Sequence, residues 1–243
     1  MQTLKDKVAV VTGAGKGIGK ACVLKLAAEG AHVIAVARTE SDLQAVMAES
    51  SGSVEAWAMD VTSQAFLSKI EGLECIDILV NNAGTNRPEA FTDVSEENLD
   101  FVMNLNVKWA FLVSQAVVNV MKKAGKGGSI IHMSSQMGHV GSPNRSVYCM
   151  TKHAIEGLSK AMAVELGPEN IRVNTIAPTF IETPMTKPML ENPEFMEFVN
   201  RMIPLGRIGK VDDIAAAVSY LASGSASMVT GTSLKVDGGW TAH

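Results

Sequence analysis

Short apolar, β-branched runs alternate along the chain with stretches in which apolar residues recur at helical spacing. VAVVTG at 8–13 precedes GIGKACVLKLAAEG at 17–30, and HVIAVA at 32–37 precedes SDLQAVMAE at 41–49. VEAWAMD at 54–60 is followed by SQAFLSKIEG, and IDILVNN at 76–82 by a long helix predicted through Val117. The second half continues with SIIHMSS, a helix from about Ser146 to Leu166, IRVNTIAP, a helix near Val211 to Leu221 and a last strand TSLKVDG. Strands that are apolar at consecutive positions have both faces covered, as in a parallel sheet between helical layers. Right-handed crossovers then predict an α/β fold with a doubly wound parallel sheet and helices on both faces, of the Rossmann type. The segment from Pro178 to Pro204 breaks the rhythm with Pro178, Pro184, Pro188 and Pro193 among Phe180, Met185, Met189, Phe195, Met196 and Phe198. It reads as a substrate lid at about 179–205, or as a satellite core cluster beneath a long connection.

A chain of 243 residues that is 47% hydrophobic can bury a large core, and nothing divides it, so residues 1–243 are expected to form one domain. The opening MQTLKDKVAVV carries charges where a secretory signal needs an apolar run, and no later stretch reads as a membrane span, so a cytoplasmic protein is expected. A net charge of -4 with interspersed signs offers no basic stripe, which argues against nucleic acid and anionic membrane as partners. A small, uncharged or mildly polar substrate fits better. Cys22, Cys75 and Cys149 lie far apart and read as packed thiols, and the Asn144-Arg145-Ser146 sequon as accidental. The five histidines form no zinc-binding pattern, and no metal is expected; a GxSxG elbow is absent too.

Two groups of residues suggest chemistry. Gly13, Gly15, Gly17 and Gly19 sit between a buried strand and a helix, where a bare backbone and a helix N-terminus can cradle a pyrophosphate. The spacing meets neither GxGxxG nor Walker A, and such a turn alone also serves tight strand-to-helix packing. Tyr148 and Lys152 stand at i and i+4 on one helix, with Cβ atoms about 5–6 Å apart, so the ammonium can favour the phenolate. A lowering of two or three pKa units from about 10, at about 1.4 kcal/mol each, is expected. Ser135 lies thirteen residues before the tyrosine.

TGAGKGIG, Asn81-Asn82-Ala83-Gly84, Ser135 and Tyr148-x-x-x-Lys152, in this order, resemble the short-chain dehydrogenase/reductase family. Asp60-Val61, Asn106 in NVKWAF, Ile171-Arg172-Val173-Asn174 before Pro178, and Val236-Asp237-Gly238-Gly239 extend the resemblance over nearly the whole chain. It implies an NAD(P)-dependent oxidoreductase acting on CH–OH groups. Tyr148 would exchange a proton with the substrate oxygen, which Ser135 steadies. Lys152 would hold the nicotinamide ribose, and Asn106 would support a proton-relaying water. It further implies that Gly13, Gly15, Lys16, Gly17, Ile18 and Gly19 cradle the phosphates and that Asp60 and Val61 hold the adenine. Asn82, Ala83 and Gly84 would flank the adenosine ribose and phosphates, and Pro178, Ile181 and Thr183 would line the nicotinamide side. Trp109 departs from a small residue of the family pattern and Thr179 from its glycine.

The end of the second strand holds Ala37 where an acid would bind a free ribose, and Arg38 follows it. With Lys16 in the loop, this predicts NADP(H) over NAD(H); the alternative is that both cations are solvated and Glu40 binds the ribose. ARTESDL, SSQMGHVGSPN and ELGPENIRVN resemble the carbonyl and xylulose reductase branch, with sugar or sugar-acid dehydrogenases and oxoacyl-carrier-protein reductases close by. The substrate is expected to be a small carbonyl or alcohol contacted by Gln136, His139, Asn144 and Glu182, and the resemblance implies a homotetramer. A nucleotide-binding sensor or scaffold without turnover is the contrasting class, and it would normally show a broken Ser, Tyr or Lys position.

Overall fold

The computed structural model describes residues 3–242. Strands β1 (Val8–Thr12), β2 (His32–Ala37), β3 (Val54–Ala58) and β4 (Ile78–Asn81) alternate with helices α1 (Gly17–Ala28), α2 (Glu40–Glu49) and α3 (Gln64–Glu71). Helices α4 (Glu96–Met103) and α5 (Ala110–Ala124) lead to β5 (Gly128–Met133), and α6 (Ser146–Leu166) leads to β6 (Ile171–Pro178). Helices α7 (Lys187–Leu190), α8 (Pro193–Met202) and α9 (Val211–Ala222) precede β7 (Ser233–Val236). The local chemistry explains several ends: Ser63 and Ser95 cap α3 and α4 by accepting from Phe66 N and Asn98 N, each at 3.2 Å. Asn192 caps α8 ahead of Pro193 in its first turn.

The seven strands run in the order β3-β2-β1-β4-β5-β6-β7, and every pair is parallel. The doubly wound sheet expected from the apolar runs is therefore present. Each strand sends alternate side chains to opposite faces: Ala9 and Val11 pack with Leu26, Val46, Ile214 and Val218 of α1, α2 and α9. Val10 packs on the other side with Phe66, Val117 and Leu166 of α3, α5 and α6. Two apolar layers thus exclude water from both faces of the sheet.

The chain reverses its winding between β1 and β4, so the crevice at their carboxyl ends is the switch point where open α/β sheets bind ligands. Thr12 shapes it, since its hydroxyl accepts from the amides of Asn82 at 2.9 Å and Ala83 at 3.0 Å.

Two expectations need correction. The long helix is not one continuous α-helix, because a π-helical stretch over Asn104–Trp109 separates α4 from α5. The whole helical run Glu96–Ala124, 29 residues, is also long and apolar enough to cross a membrane by composition, contrary to the sequence reading. In the fold it packs on the sheet through Val113, Val117 and Met121, with Asn106 and Ser114 buried among protein partners.

The 179–205 segment forms α7 and α8, and its apolar residues build a small core of their own. Phe180 meets Phe195 edge-on at 5.3 Å and tilts against Trp240 at 5.6 Å, while Val199 and Ile203 are buried beside them. These contacts are those of a satellite cluster, and only part of the segment, such as Met185 at 64% exposure, is left outside it.

Candidate active site

Four residues singled out in the sequence meet above the carboxyl ends of β4 and β5. Helix α6 carries Tyr148 and Lys152 inward; Lys152 is 7% exposed, and its Nζ lies 5.4 Å from the Tyr148 ring centre. That nitrogen donates to Met133 O at 2.8 Å, which ties the lysine to the end of β5. Ser135 follows β5, is 8% exposed, and its hydroxyl acts to lower the Tyr148 phenol. Its Oγ also accepts from Met137 N at 3.1 Å, fixing the short turn that presents it.

Asn106 sits in the π-helical stretch with every side-chain function used. It accepts from Thr85 N at 2.9 Å and donates to Thr85 O at 2.8 Å and to Thr151 Oγ1 at 3.2 Å. It therefore joins the loop after β4 to the helix that bears Tyr148 and Lys152, whereas Asn104 is exposed. A Cβ on Gly84 would stand 3.3 Å from Asn106 Oδ1 and 3.8 Å from Lys152 Nζ, so the bare backbone there lets the loop close over the site.

Burial governs the electrostatics. It pushes the Tyr148 phenol up to about 12, with the Ser135 hydroxyl and the Arg145 charge acting to lower it and Cys149 acting with burial. The expectation that Lys152 by itself draws the phenol below its ordinary value is not met, because desolvation outweighs the lowering influences. Lys152 is itself pushed down to about 8 by burial, against the opposing charge of Glu156. Glu156 accepts from Thr175 Oγ1 at 2.9 Å and Ser233 Oγ at 3.1 Å, and lies 3.3 Å from His139 Nε2.

His132, buried on β5, has neither ring nitrogen hydrogen-bonded, and burial followed by the Lys152 charge pushes it down to about 4. Its neutral form is favoured in the fold, so its contribution is complete above about pH 6.5 and is lost as pH falls from there toward 4. His132→Gln is expected to reduce the loss of unfolding free energy between pH 7 and 4.5 by about 2–3 kcal/mol, read from urea denaturation at both pH values. An unchanged difference between the two pH values would exclude this role.

The glycine loop fits a dinucleotide. Gly13 has φ +66°, a Cβ on it would lie 2.8 Å from Asn82 Nδ2, and one on Gly19 would strike Gly13 O, so the turn closes only with bare backbone. Ile18 is half-buried in the turn. Thr183 approaches Gly17 from the far side and bonds Thr186 Oγ1 at 3.0 Å. Asp60, where burial acts to raise the carboxyl, is nonetheless held below its ordinary value by hydrogen bonds from Thr62, with Arg38 adding its charge. Val61 is buried at 8% exposure in the core on the α3–α5 face, and Pro178 ends β6 inside the sheet. The Ile181 side chain is 2% exposed and packs in the core beside α9.

Arg38 is exposed and makes no hydrogen bond or ion pair among the described residues, whereas Lys16 pairs with Asp42 at 3.1 Å. Asp42 was missed in the sequence because it falls on the second helix and not at the strand end. Two suggested substrate contacts also point elsewhere: His139 is held by Ser233 at 2.9 Å and by Glu156, and Glu182 is exposed on the α1–α9 side. Gln136 remains beside Ser135, buried to 2% with Oε1 unpartnered. Glu156 was the other omission, although it stands one turn beyond Lys152 on the same helix.

The chain is similar to known proteins over nearly its whole length. A family model described as enoyl-(acyl carrier protein) reductase matches residues 13–241. The chain is 40% identical over 238 residues to an L-xylulose reductase of Mesocricetus auratus, covering 98% of this chain and 97% of that protein. It is 40% identical over 244 residues to a 3-oxoacyl-acyl-carrier-protein reductase of Thermotoga maritima, covering 97% and 98%. A solved gluconate 5-dehydrogenase of Burkholderia cenocepacia, in complex with NADP and tartrate, superposes with a TM-score of 0.94 at 30% identity, covering 100% of this chain and 98% of that one.

Proposed function

The chain belongs to the short-chain dehydrogenase/reductase family of NAD(P)-dependent oxidoreductases acting on CH–OH groups, and on that premise we propose that it interconverts a small carbonyl compound and its secondary alcohol with NADP(H), using Tyr148 as acid and base. The observation that carries this reading is the convergence of Ser135, Tyr148 and Lys152 with Gly84 and Asn106 at the mouth of the switch-point crevice. When bound, the reduced nicotinamide supplies a hydride to the carbonyl carbon. Tyr148 holds the matching proton: a phenol pushed up to about 12 is protonated at neutral pH and can deliver its O–H to the carbonyl oxygen. Ser135 orients that oxygen by a hydrogen bond. Lys152, charged below about pH 8, stabilises the phenolate left after transfer, and Asn106 keeps Lys152 and the Gly84 loop in register.

Arg38 favours NADP(H), because an exposed guanidinium without an acid partner suits a 2′-phosphate. The Lys16–Asp42 pair is exposed on the lysine side, and such a pair is worth at most about 1 kcal/mol, so Lys16 can turn to the same phosphate.

The test is steady-state oxidation of NADPH at 340 nm against ketoses, diketones and acyl thioesters, with sugar acids in the reverse direction. Saturable turnover of at least one carbonyl is expected. Tight cofactor binding without turnover of any compound would instead identify a nucleotide-binding sensor.

A further inference from the structure

Arg145 stands three residues before Tyr148, where the chain enters α6, and it is half-buried. Its guanidinium makes two weak contacts: Nη1 donates to Asn144 O at 3.3 Å, and Nη2 reaches Met189 Sδ at 3.4 Å. A guanidinium offers five N–H donors in a fork that matches a carboxylate, and a partly buried cation ordinarily keeps an acid beside it. No acid among the described residues pairs with this one. Glu89 is close along the chain path, since its amide donates to Asn144 O at 3.1 Å; its Oε1 accepts from Asn98 Nδ2 at 2.5 Å and its Oε2 is buried without a partner, yet it forms no ion pair with Arg145.

The residue stands at the entrance of α6, three positions before Tyr148, and reaches across to α7 through Met189. Burial lowers the guanidinium from its ordinary value, and the groups whose charge bears on it are Tyr148 and Cys149. Asn144 holds φ +58° with its carbonyl engaged, so the loop that delivers Arg145 is fixed, and Met189 belongs to α7 of the segment above. Gln136 Oε1 and Ser134 Oγ beside Ser135, Thr179 Oγ1 after Pro178, and Asn86 Oδ1 and Glu89 Oε2 in the loop after β4 are also buried without partners.

We propose that Arg145 is the anion anchor of the substrate site, and that the preferred substrate is a polyhydroxy acid whose carboxylate sits on the guanidinium fork while its reacting carbon faces Tyr148. The assignment rests on the dehydrogenase reading above and adds the substrate class to it.

The experiment uses the full chain with NADP+ and compares threonate, ribonate and gluconate with threitol, ribitol and glucitol, which differ from them in the terminal carboxylate. For at least one chain length the acid is expected to exceed its polyol about tenfold or more in kcat/KM, with most of the difference in KM. Arg145→Leu is expected to lower kcat/KM for that acid about 10- to 100-fold and to collapse the acid-to-polyol ratio toward one, and Arg145→Lys to restore part of it. Equal losses on acid and polyol, or polyols preferred at every length, would overturn the assignment. Reduction of a neutral carbonyl with NADPH separates the two levels. If neutral carbonyls turn over without a preference for acids, the Arg145 assignment alone fails; if nothing turns over, the dehydrogenase reading fails with it.

Discussion

Tyr148→Phe is expected to lower kcat by about a thousandfold or more while leaving the dissociation constant for NADPH within about threefold of the parent. General acid–base catalysis by a positioned side chain contributes about 10²- to 10⁴-fold, and the Tyr148 phenol lies close to Lys152, whose Nζ stands 5.4 Å from its ring centre. Phenylalanine keeps the ring that packs at the mouth of α6 and removes only that donor. Cofactor binding is read by quenching of protein fluorescence or by calorimetry, turnover by absorbance at 340 nm. If kcat survives within tenfold, the proton comes from another group, and Tyr148 is a packing residue.

Arg38→Ala is expected to lower kcat/KM for NADPH about 10- to 100-fold, almost wholly through KM, and to affect NADH far less. A charge-assisted hydrogen bond is worth about 1.5–3 kcal/mol, which sets that range. The ion pair of Lys16 with Asp42 at 3.1 Å sharpens the test, since Asp42 repels a 2′-phosphate that Lys16 would attract. Asp42→Asn should therefore tighten NADPH binding in the Arg38 parent, by at most a few fold because the lysine is 64% exposed. Equal losses with both cofactors after Arg38→Ala would mean that the guanidinium does not meet the 2′ position, and would favour the reading in which both cations are solvated.

The strands were legible because their signal is local: VAVVTG and HVIAVA are apolar at successive positions, which a buried parallel strand demands and an amphipathic helix does not. The π-helical stretch over Asn104–Trp109 was not legible, since widening a helix by one residue leaves its apolar periodicity almost unchanged over so few turns. The spacing of Tyr148 and Lys152 put them on one face correctly, but the direction of the phenol's shift depends on desolvation by the assembled cleft, which no i, i+4 argument contains. His139 illustrates the same limit. Its partners Ser233 and Glu156 come from β7 and α6, 94 residues downstream in the case of Ser233, so only the fold could reveal that its ring is already engaged.

The central claim is that a hydride passes from a nicotinamide to a carbonyl carbon while Tyr148 supplies the proton. Reduction of any turned-over carbonyl with NADPH carrying deuterium at both C4 positions, followed by mass spectrometry of the alcohol, tests it most directly. One deuterium on the carbinol carbon of the product and a hydroxyl proton that exchanges with solvent are expected. An unlabelled alcohol, or consumption of the cofactor with no deuterium found in any product, would contradict it.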